Sequence, residues 1–485
     1  MGSTIIKAVV ASALCVASFL GSTSAVAQDR PEKPNVVVML VDNVGWGEIG
    51  AYGGGVLRGA ETPRLDAFAQ EGTRLLNYNV EPQCTPSRSA LLTGRHPIRS
   101  GTTKVVWGLP YGLVNWEITM AELFSGAGYR TGMFGKWHLG DKKGRFPTDQ
   151  GFDGWYGIPN TTDEAQYTSQ LGYDPAIVET PHIVQAIRNA QPQKVMDYTL
   201  ETRPLIDSQL ANEAIDFMTE AVDADEPFFV YLPFTQAHLP ALPHPDFDGV
   251  TGNGRWADML TEMDFRAGQI LDALDDLGVA ENTLVIWTSD NGPEESPTHF
   301  GTAGYWRGFY FTTLEGSLRA PFLIRWPGQI PAGRVSDEIV HTVDLMPTLA
   351  RVAGYSVPND RVIDGVDQWD FLTGASAVSR REGFPAYNGE RLQSYKWRNF
   401  KLHYWQQDSM FDTPVQHNVP RVHNLMRDPK ELFGVDGGAA TTGAQNLTWV
   451  YPAVTERVLK FQRSLIDEPP VPFPAPFGWT PGDNE

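Results

Sequence analysis

Cysteine is almost absent from this chain. Only Cys15 and Cys84 carry a thiol among 485 residues. Cys15 falls in an N-terminal stretch that reads as a removable leader, which leaves Cys84 without a disulfide partner and excludes a disulfide-stapled fold. Long apolar runs are missing too. Residues 8–20 are too few to cross a bilayer, and no later segment reaches about 18 apolar residues. Positive charge is scarce: 38 Lys and Arg face 58 Asp and Glu, for a net charge of −20. Such a surface repels nucleic acid and anionic membranes, and any anionic substrate must be drawn in by local positive charge. Lysine is thinnest in the middle, where Lys194 stands alone between Lys143 and Lys396.

The leader has Lys7, then the apolar residues 8–20, then small residues at Ala25 and Ala27 before Gln28. Residues 1–27 are therefore expected to be a signal peptide of an exported, periplasmic or extracellular protein. Leu14 precedes Cys15 where a lipid-anchor signal would want a small residue, so no lipid anchor is expected.

The remaining chain is long enough for one large domain and a smaller one. Residues 35–41, 228–234, 282–288 and 321–326 are apolar runs of the kind that form strands buried on both faces. Residues 73–80 and 130–134 read as further strands. Helices are expected from Thr62-Pro63 and over 84–93, 118–127, 205–222, 259–277 and 344–353. This alternation predicts an α/β domain over residues 28–375, with a large, mixed, mainly parallel sheet sandwiched by helices. From residue 376 the texture changes. A hairpin over 394–405, a strand at 421–425 and a helix over 454–465 predict a small C-terminal α+β domain with a short antiparallel sheet. Its Pro-rich tail is expected to run over the surface.

Two predicted strands end in the same dipeptide, Asp42-Asn43 and Asp290-Asn291, each followed closely by glycine. Alone, each is ordinary turn chemistry at a strand end. Together, beyond the carboxyl ends of a parallel sheet, they would offer all-oxygen ligands suited to Ca²⁺, or to Mg²⁺, and not to zinc. Cys84 opens Cys84-Thr85-Pro86-Ser87-Arg88. With Thr85 as cap and Pro86 as first helical residue, Cys84 would sit at a positive helix terminus within reach of Arg88. That field would stabilise an anion or depress a thiol pKa.

The segment from Cys84 to Thr93-Gly94-Arg95 closely resembles the Cys-x-Pro-Ser-Arg motif of the type I sulfatases, members of the alkaline phosphatase superfamily. Further blocks resemble that family in the same order. They are Thr62-Pro63-Arg64-Leu65-Asp66, Gly135-Lys136-Trp137-His138-Leu139-Gly140, Asp290-Asn291-Gly292, Glu315-Gly316-Ser317-Leu318-Arg319-Ala320-Pro321 and Val343-Asp344-Leu345-Met346-Pro347-Thr348. The resemblance spans roughly residues 33 to 435.

It implies sulfate monoester hydrolysis on an alkaline-phosphatase-like fold, with Cys84 oxidised by a maturation enzyme to formylglycine, whose hydrate is the nucleophile. It implies a calcium ion held by Asp42, Asn43, Asp290, Asn291 and residue 84. Arg88 and Lys136 would hold nucleophile and sulfate, His138 would be the base, and His238 would contact the sulfate near the leaving oxygen. The substrate would be a sulfated small molecule or glycan. Two departures stand out. Asn43 replaces the family's more common Asp, and Tyr310 stands where the family has a substrate lysine, leaving Arg307 or Tyr310 to take its place or His238 to act alone as general acid. That gap keeps phosphonate or phosphodiester hydrolysis open as an alternative, beside a non-catalytic sulfate-binding role. Trp306 and His299 are candidates for the pocket rim.

Overall fold

The computed structural model describes residues 33–107, 111–296, 301–436 and 447–484. The expected signal peptide, Cys15 and His299 lie outside the described residues.

The chain begins with β1 (Asn35–Val41), α1 (Pro63–Glu71), β2 (Thr73–Leu75), β3 (Tyr78–Asn79), α2 (Cys84–Thr93) and the short α3 (Pro97–Ser100). α4 (Met120–Gly126), β4 (Arg130–Lys136), β5 (Gly154–Ile158), β6 (His182–Ile187) and β7 (Gln193–Asp197) follow. Next come α5 (Ile206–Asp223), β8 (Phe228–Pro233), α6 (Arg255–Asp276), β9 (Thr283–Ser289), the single turn α7 (Glu315–Leu318) and β10 (Phe322–Arg325). After β11 (Arg334–Ser336), β12 (Val340–His341), α8 (Leu345–Val352) and α9 (Trp369–Leu372), the C-terminal part holds β13 (Gly383–Asn388), β14 (Arg391–Trp397), β15 (Phe400–Gln406), β16 (Val415–Asn424), β17 (Val435–Asp436) and α10 (Val450–Asp467).

Ten strands form one sheet in the order β11-β2-β10-β9-β1-β8-β4-β5-β6-β7. Its centre, β9-β1-β8-β4-β5, is parallel throughout, and antiparallel pairs enter on both sides of it. β1 shows why both faces are covered. Its residues alternate between two apolar layers, as a pleated strand requires. Val37, Met39 and Val41 join Met218 of α5 and Met263 and Ile270 of α6. Val36, Val38 and Leu40 join Leu91 of α2, Phe124 of α4 and Leu349 of α8. A five-stranded antiparallel sheet, β13-β14-β15-β16-β17, packs with α10 through Leu402, Val422 and Val454.

Four details differ from expectation. The strand expected over 73–80 is two: β2 lies in the main sheet, whereas β3 pairs with β12 in a sheet of its own. β6 and β7 extend the main sheet through a segment that reads as irregular; β7 is short, polar and mostly exposed, so it has no apolar pattern to betray it. Thr62 does not cap α1 with its side chain; its hydroxyl accepts from the Gly50 amide and donates to Asp66. The C-terminal tail does not merely run over the surface: Val471, Ala475 and Trp479 bury against Val114.

Candidate active site

The site forms where parallel strand ends meet the start of α2, as open α/β sheets favour. β1 ends in Asp42 and β9 delivers Asp290, both buried. Asn43 (φ 61°) and His138 (φ 59°), just past β1 and β4, are left-handed, a conformation Asn and His adopt more readily than most residues. The Asp42 amide donates to the Gln236 carbonyl and the Ala237 amide to the Asp42 carbonyl, each at 2.7 Å. That ladder ties β1 to the segment carrying His238.

α2 spans the expected 84–93, but its cap is Gln83 and not Thr85, because the Ser87 amide closes the first turn on the Gln83 carbonyl at 3.0 Å. Gly94 (φ 67°) ends the helix as expected. The Cys84 Sγ lies 3.5 Å from Asp42 Oδ1 and 3.8 Å from Asn43 Oδ1. Arg88 donates to Asp290 Oδ2 through Nε (3.0 Å) and Nη2 (2.8 Å) and to the Lys136 carbonyl at 2.6 Å. Lys136 Nζ donates to Asp42 Oδ2 at 2.6 Å and reaches Thr161 Oγ1 at 3.4 Å.

The electrostatics overturn one expectation. Burial and the neighbouring carboxylates push the Cys84 thiol well up, against the pull of Lys136 and Arg88. The helix-start field that was to depress this thiol is outweighed by desolvation and by Asp42. Burial also opposes ionisation of Asp42, but Lys136, His238 and Arg88 hold its carboxyl well below the usual range. Burial and Asp42 push Asp290 up. Burial, then Lys136 and Arg88, hold His138 well below an ordinary histidine, so its imidazole is neutral near pH 7. Neither ring nitrogen of this buried His138 has a hydrogen-bond partner among the described residues. Its carbonyl accepts from Thr85 Oγ1 at 2.9 Å, which fixes β4's exit against α2.

A cavity of about 230 Å³ opens onto Cys84, His138, Thr161, His238, Glu294 and Tyr310. His238 Nδ1 lies 2.8 Å from the Leu239 carbonyl and Nε2 lies 3.4 Å from Thr161 Oγ1. At the mouth, Trp107, 59% exposed, stacks on Phe311 with ring centroids 6.4 Å apart. Lys136 stands behind this wall and not beside His138 on it: the left-handed turn at His138 breaks the strand alternation that would have put both on one side.

Tyr310 lines the cavity as expected, its hydroxyl 3.5 Å from Glu294 Oε1. Arg307 does not. Its guanidinium is held by the Lys430 carbonyl (2.6 Å), the Glu431 carbonyl (2.8 Å) and Asp408 (3.1 Å), so it ties a loop to the C-terminal part and cannot replace the lysine. Trp306 also packs away from the cavity, over Arg319 and against Trp46. Sequence reasoning missed Thr161 and Glu294. Glu294, three residues beyond Asn291, accepts from Asn43 Nδ2 at 3.1 Å and from the Leu239 amide at 3.2 Å.

The residues fit a hard divalent cation. Asp42, Asn43, Asp290 and Asn291 converge beside Cys84, and the buried Asn291 Oδ1 has no hydrogen-bond partner among the described residues. Asp42 and Asp290 only cancel Arg88 and Lys136. An anionic ester therefore gains net attraction here only when a cation joins them.

An alkaline-phosphatase-like α/β fold, with an oxygen-rich cation pocket against a helix-terminal cysteine, defines a class of ester hydrolases. The pattern of the Sulfatase family matches residues 34–355, and that of the N-sulphoglucosamine sulphohydrolase C-terminal region matches residues 306–435. Human arylsulfatase A is 35% identical, the match covering 87% of this chain and 86% of the relative. N-acetylgalactosamine-6-sulfatase of dog (Canis lupus familiaris) is 33% identical over 92% and 88%. The crystal structure of PsFucS1 sulfatase from Pseudoalteromonas sp. superimposes with a TM-score of 0.84 at 31% identity, over 91% of this chain and 92% of that one. The chain belongs to the sulfatase family, whose members are sulfuric ester hydrolases.

Proposed function

We propose that this enzyme hydrolyses an aryl or carbohydrate sulfate monoester to an alcohol and inorganic sulfate, with residue 84 converted to formylglycine and calcium held by Asp42, Asn43, Asp290 and Asn291. The observation that carries this reading is the mismatch at Cys84. Its thiol is buried beside two carboxylates that keep it protonated, which makes a poor sulfur nucleophile. The same surroundings suit a hydroxyl beside a metal. The aldehyde hydrate would supply one hydroxyl for attack and a second for expelling sulfate; the ion would supply Lewis-acid polarisation of sulfate oxygens. Four protein oxygen ligands favour calcium over magnesium, which prefers to keep its waters.

The chain's own residues divide the remaining work. Arg88 and Lys136, fixed on Asp290 and Asp42, hold positive charge where the sulfate's negative charge grows. His138, neutral and unpaired, accepts the proton from the second hydroxyl of residue 84. His238, turned into the cavity and braced by Leu239 and Thr161, delivers a proton to the leaving oxygen. With Arg307 committed elsewhere, the described residues of the cavity wall include no lysine or arginine, and Tyr310, kept protonated by burial and Glu294, is left as a neutral donor. Relatives named as arylsulfatase A and N-acetylgalactosamine-6-sulfatase bracket the substrate class. The enzyme works outside the cytoplasm, after removal of residues 1–27.

Mass spectrometry of the tryptic peptide holding residue 84 is expected to show the thiol-to-aldehyde mass loss. Turnover of 4-nitrophenyl sulfate is expected to stop on calcium chelation and return with Ca²⁺ but not Zn²⁺. An intact thiol with full turnover overturns the formylglycine assignment. Faster hydrolysis of a phenylphosphonate ester in the same panel overturns the substrate class.

A further inference from the structure

An anionic protein that captures an anionic substrate needs uncommitted positive charge on its surface. Among the described residues the active-site mouth has none: Asp163 and Glu294 line it, and Arg88 and Lys136 are buried behind it, already paired with Asp290 and Asp42. In two other surface cavities the charged side chains are mainly acidic. One has Glu71, Asp275 and Glu281 around Arg325, and the other has Asp153, Glu213, Asp216 and Glu220 around Arg130.

A further cavity of about 570 Å³ has the opposite character. It lies between α10 and residues 362–366 and 380–385, over an apolar floor that includes Phe461. Arg99, Arg380, Arg381, Arg457 and Lys460 line it against only Asp364 and Glu382. Two of the cations are structural. Arg99, 2% exposed, is bound to Asp364 at 2.8 Å and to Ser464 Oγ at 2.7 Å, and Arg381 is bound to Asp344. Of the others, Arg457 is partly committed, its Nη2 paired with Glu382 and its Nη1 donating to the Ala453 carbonyl at 2.9 Å, whereas Arg380 and Lys460 have no acidic partner among the described residues. Glu382 is shared between Arg457 and Arg398, at 2.6 Å from each. Arg380 reaches only the Asp367 carbonyl at 3.4 Å, and Lys460 is exposed with no ion-pair partner among the described residues. On a chain of net charge −20, this leaves a concave surface with excess positive charge, where the Arg380 guanidinium and the Lys460 ammonium are free to hold an oxyanion.

We infer that this cavity is a second oxyanion-binding site, separate from the Cys84 cavity, which takes a sulfate group. The group comes either from a polysulfated chain that also feeds the active site or from free sulfate. Naming sulfate as the oxyanion rests on the sulfatase reading; the capture of an oxyanion does not.

The test is the double charge reversal Arg380→Glu/Lys460→Glu, set against the control Lys194→Glu/Arg255→Glu, which changes net charge equally elsewhere. All four side chains are exposed, so folding is expected to persist, and thermal unfolding checks it. Calorimetric titration at low salt with dextran sulfate is expected to show roughly tenfold or greater loss of affinity in the first variant, with a shallower salt dependence, and little loss in the control. The kcat/KM for 4-nitrophenyl sulfate is expected to be unchanged in both. Competition by inorganic sulfate identifies the free oxyanion as occupant; binding that only the polymer achieves identifies the chain. Equal losses in both variants, or none in either, overturn the site. A wild type that binds dextran sulfate normally but fails to hydrolyse 4-nitrophenyl sulfate counts against the sulfatase reading instead.

Discussion

His138 shows how a single side chain is prepared. It is 1% exposed, turned inward by a left-handed backbone, and left without a partner among the described residues on either ring nitrogen. A buried unpartnered imidazole costs stability, on the order of 1–3 kcal/mol, so its free nitrogens are there for a reacting group. Burial, Lys136 and Arg88 hold its pKa well below 6.5. A base works deprotonated, so a depressed pKa extends the active range toward acid. The kcat profile is therefore expected to stay flat as pH falls to 6.5 and to decline only below it. Replacing His138 by Ala is expected to lower kcat by roughly 10²–10⁴-fold with KM little changed. An acid limb centred above 6.5, or a variant with normal kcat, would refute this role.

Elements place such residues through close backbone contact. β4 carries Lys136 at its end and His138 two residues on; it pairs with β8 over Arg130–Met133, and beyond that Gly135 lies close against Pro233 of β8. Gly135 has φ 144°, and a Cβ there would meet the Pro233 carbonyl oxygen at 1.8 Å. Gly135→Ala must therefore push β4 away from β8. Its expected signature is a fall in kcat/KM of roughly 100-fold, since displacement by about 1 Å suffices for that. A lower unfolding temperature should accompany it; unchanged kinetics would mean that the strand has slack. This scale also explains what was legible in sequence. Asp42, Asp290 and the parallel centre could be read because buried strands leave unbroken apolar runs with acids at their ends. Cys84, Arg88 and His138 could be read from short motifs. Thr161 and Glu294 could not, because they enter from loops whose path depends on tertiary contacts. Arg307 misled for the same reason: its sequence neighbours lie at the site, but its guanidinium turns toward the carbonyls of Lys430 and Glu431.

At the scale of the whole molecule, buried ions tie the five-stranded sheet to α7 and β3. Glu315 of α7 accepts from Lys396 of β14 (2.6 Å), Lys401 of β15 (3.2 Å) and Arg319 (2.5 Å), and Glu315, Lys396 and Lys401 are fully buried. Lys396 also donates to Asn77 and Asn79 around β3, and the Glu315 amide donates to Glu431 Oε2 at 2.6 Å. Apart from this network, Asn388 of β13 ties the same sheet to the active-site segments: it donates to the Phe311 carbonyl at 2.7 Å and accepts from Gln83 at 2.7 Å. Burial opposes the Glu315 charge, but Lys396, Lys401 and Arg319 prevail and hold its carboxyl well below 4.5. For an acid depressed in the folded state, the linked stability is present above its ordinary 4.5 and is lost as pH falls below it toward the folded value. Lys396→Met removes one partner and leaves the carboxylate underpaired. The expected cost is about 3 kcal/mol, the lower end for breaking a buried ion pair, because Lys401 and Arg319 remain. Burial and Arg319 lower the pKa of the Lys396 ammonium to about 7, so a lower urea midpoint at pH 6, where the ammonium is charged, reads this directly. The gap between wild type and variant should narrow as the pH is lowered below 4.5, since protonated Glu315 no longer needs the lysine. A gap that stays constant with pH would place the lysine's contribution in packing and leave the carboxylate neutral in both proteins.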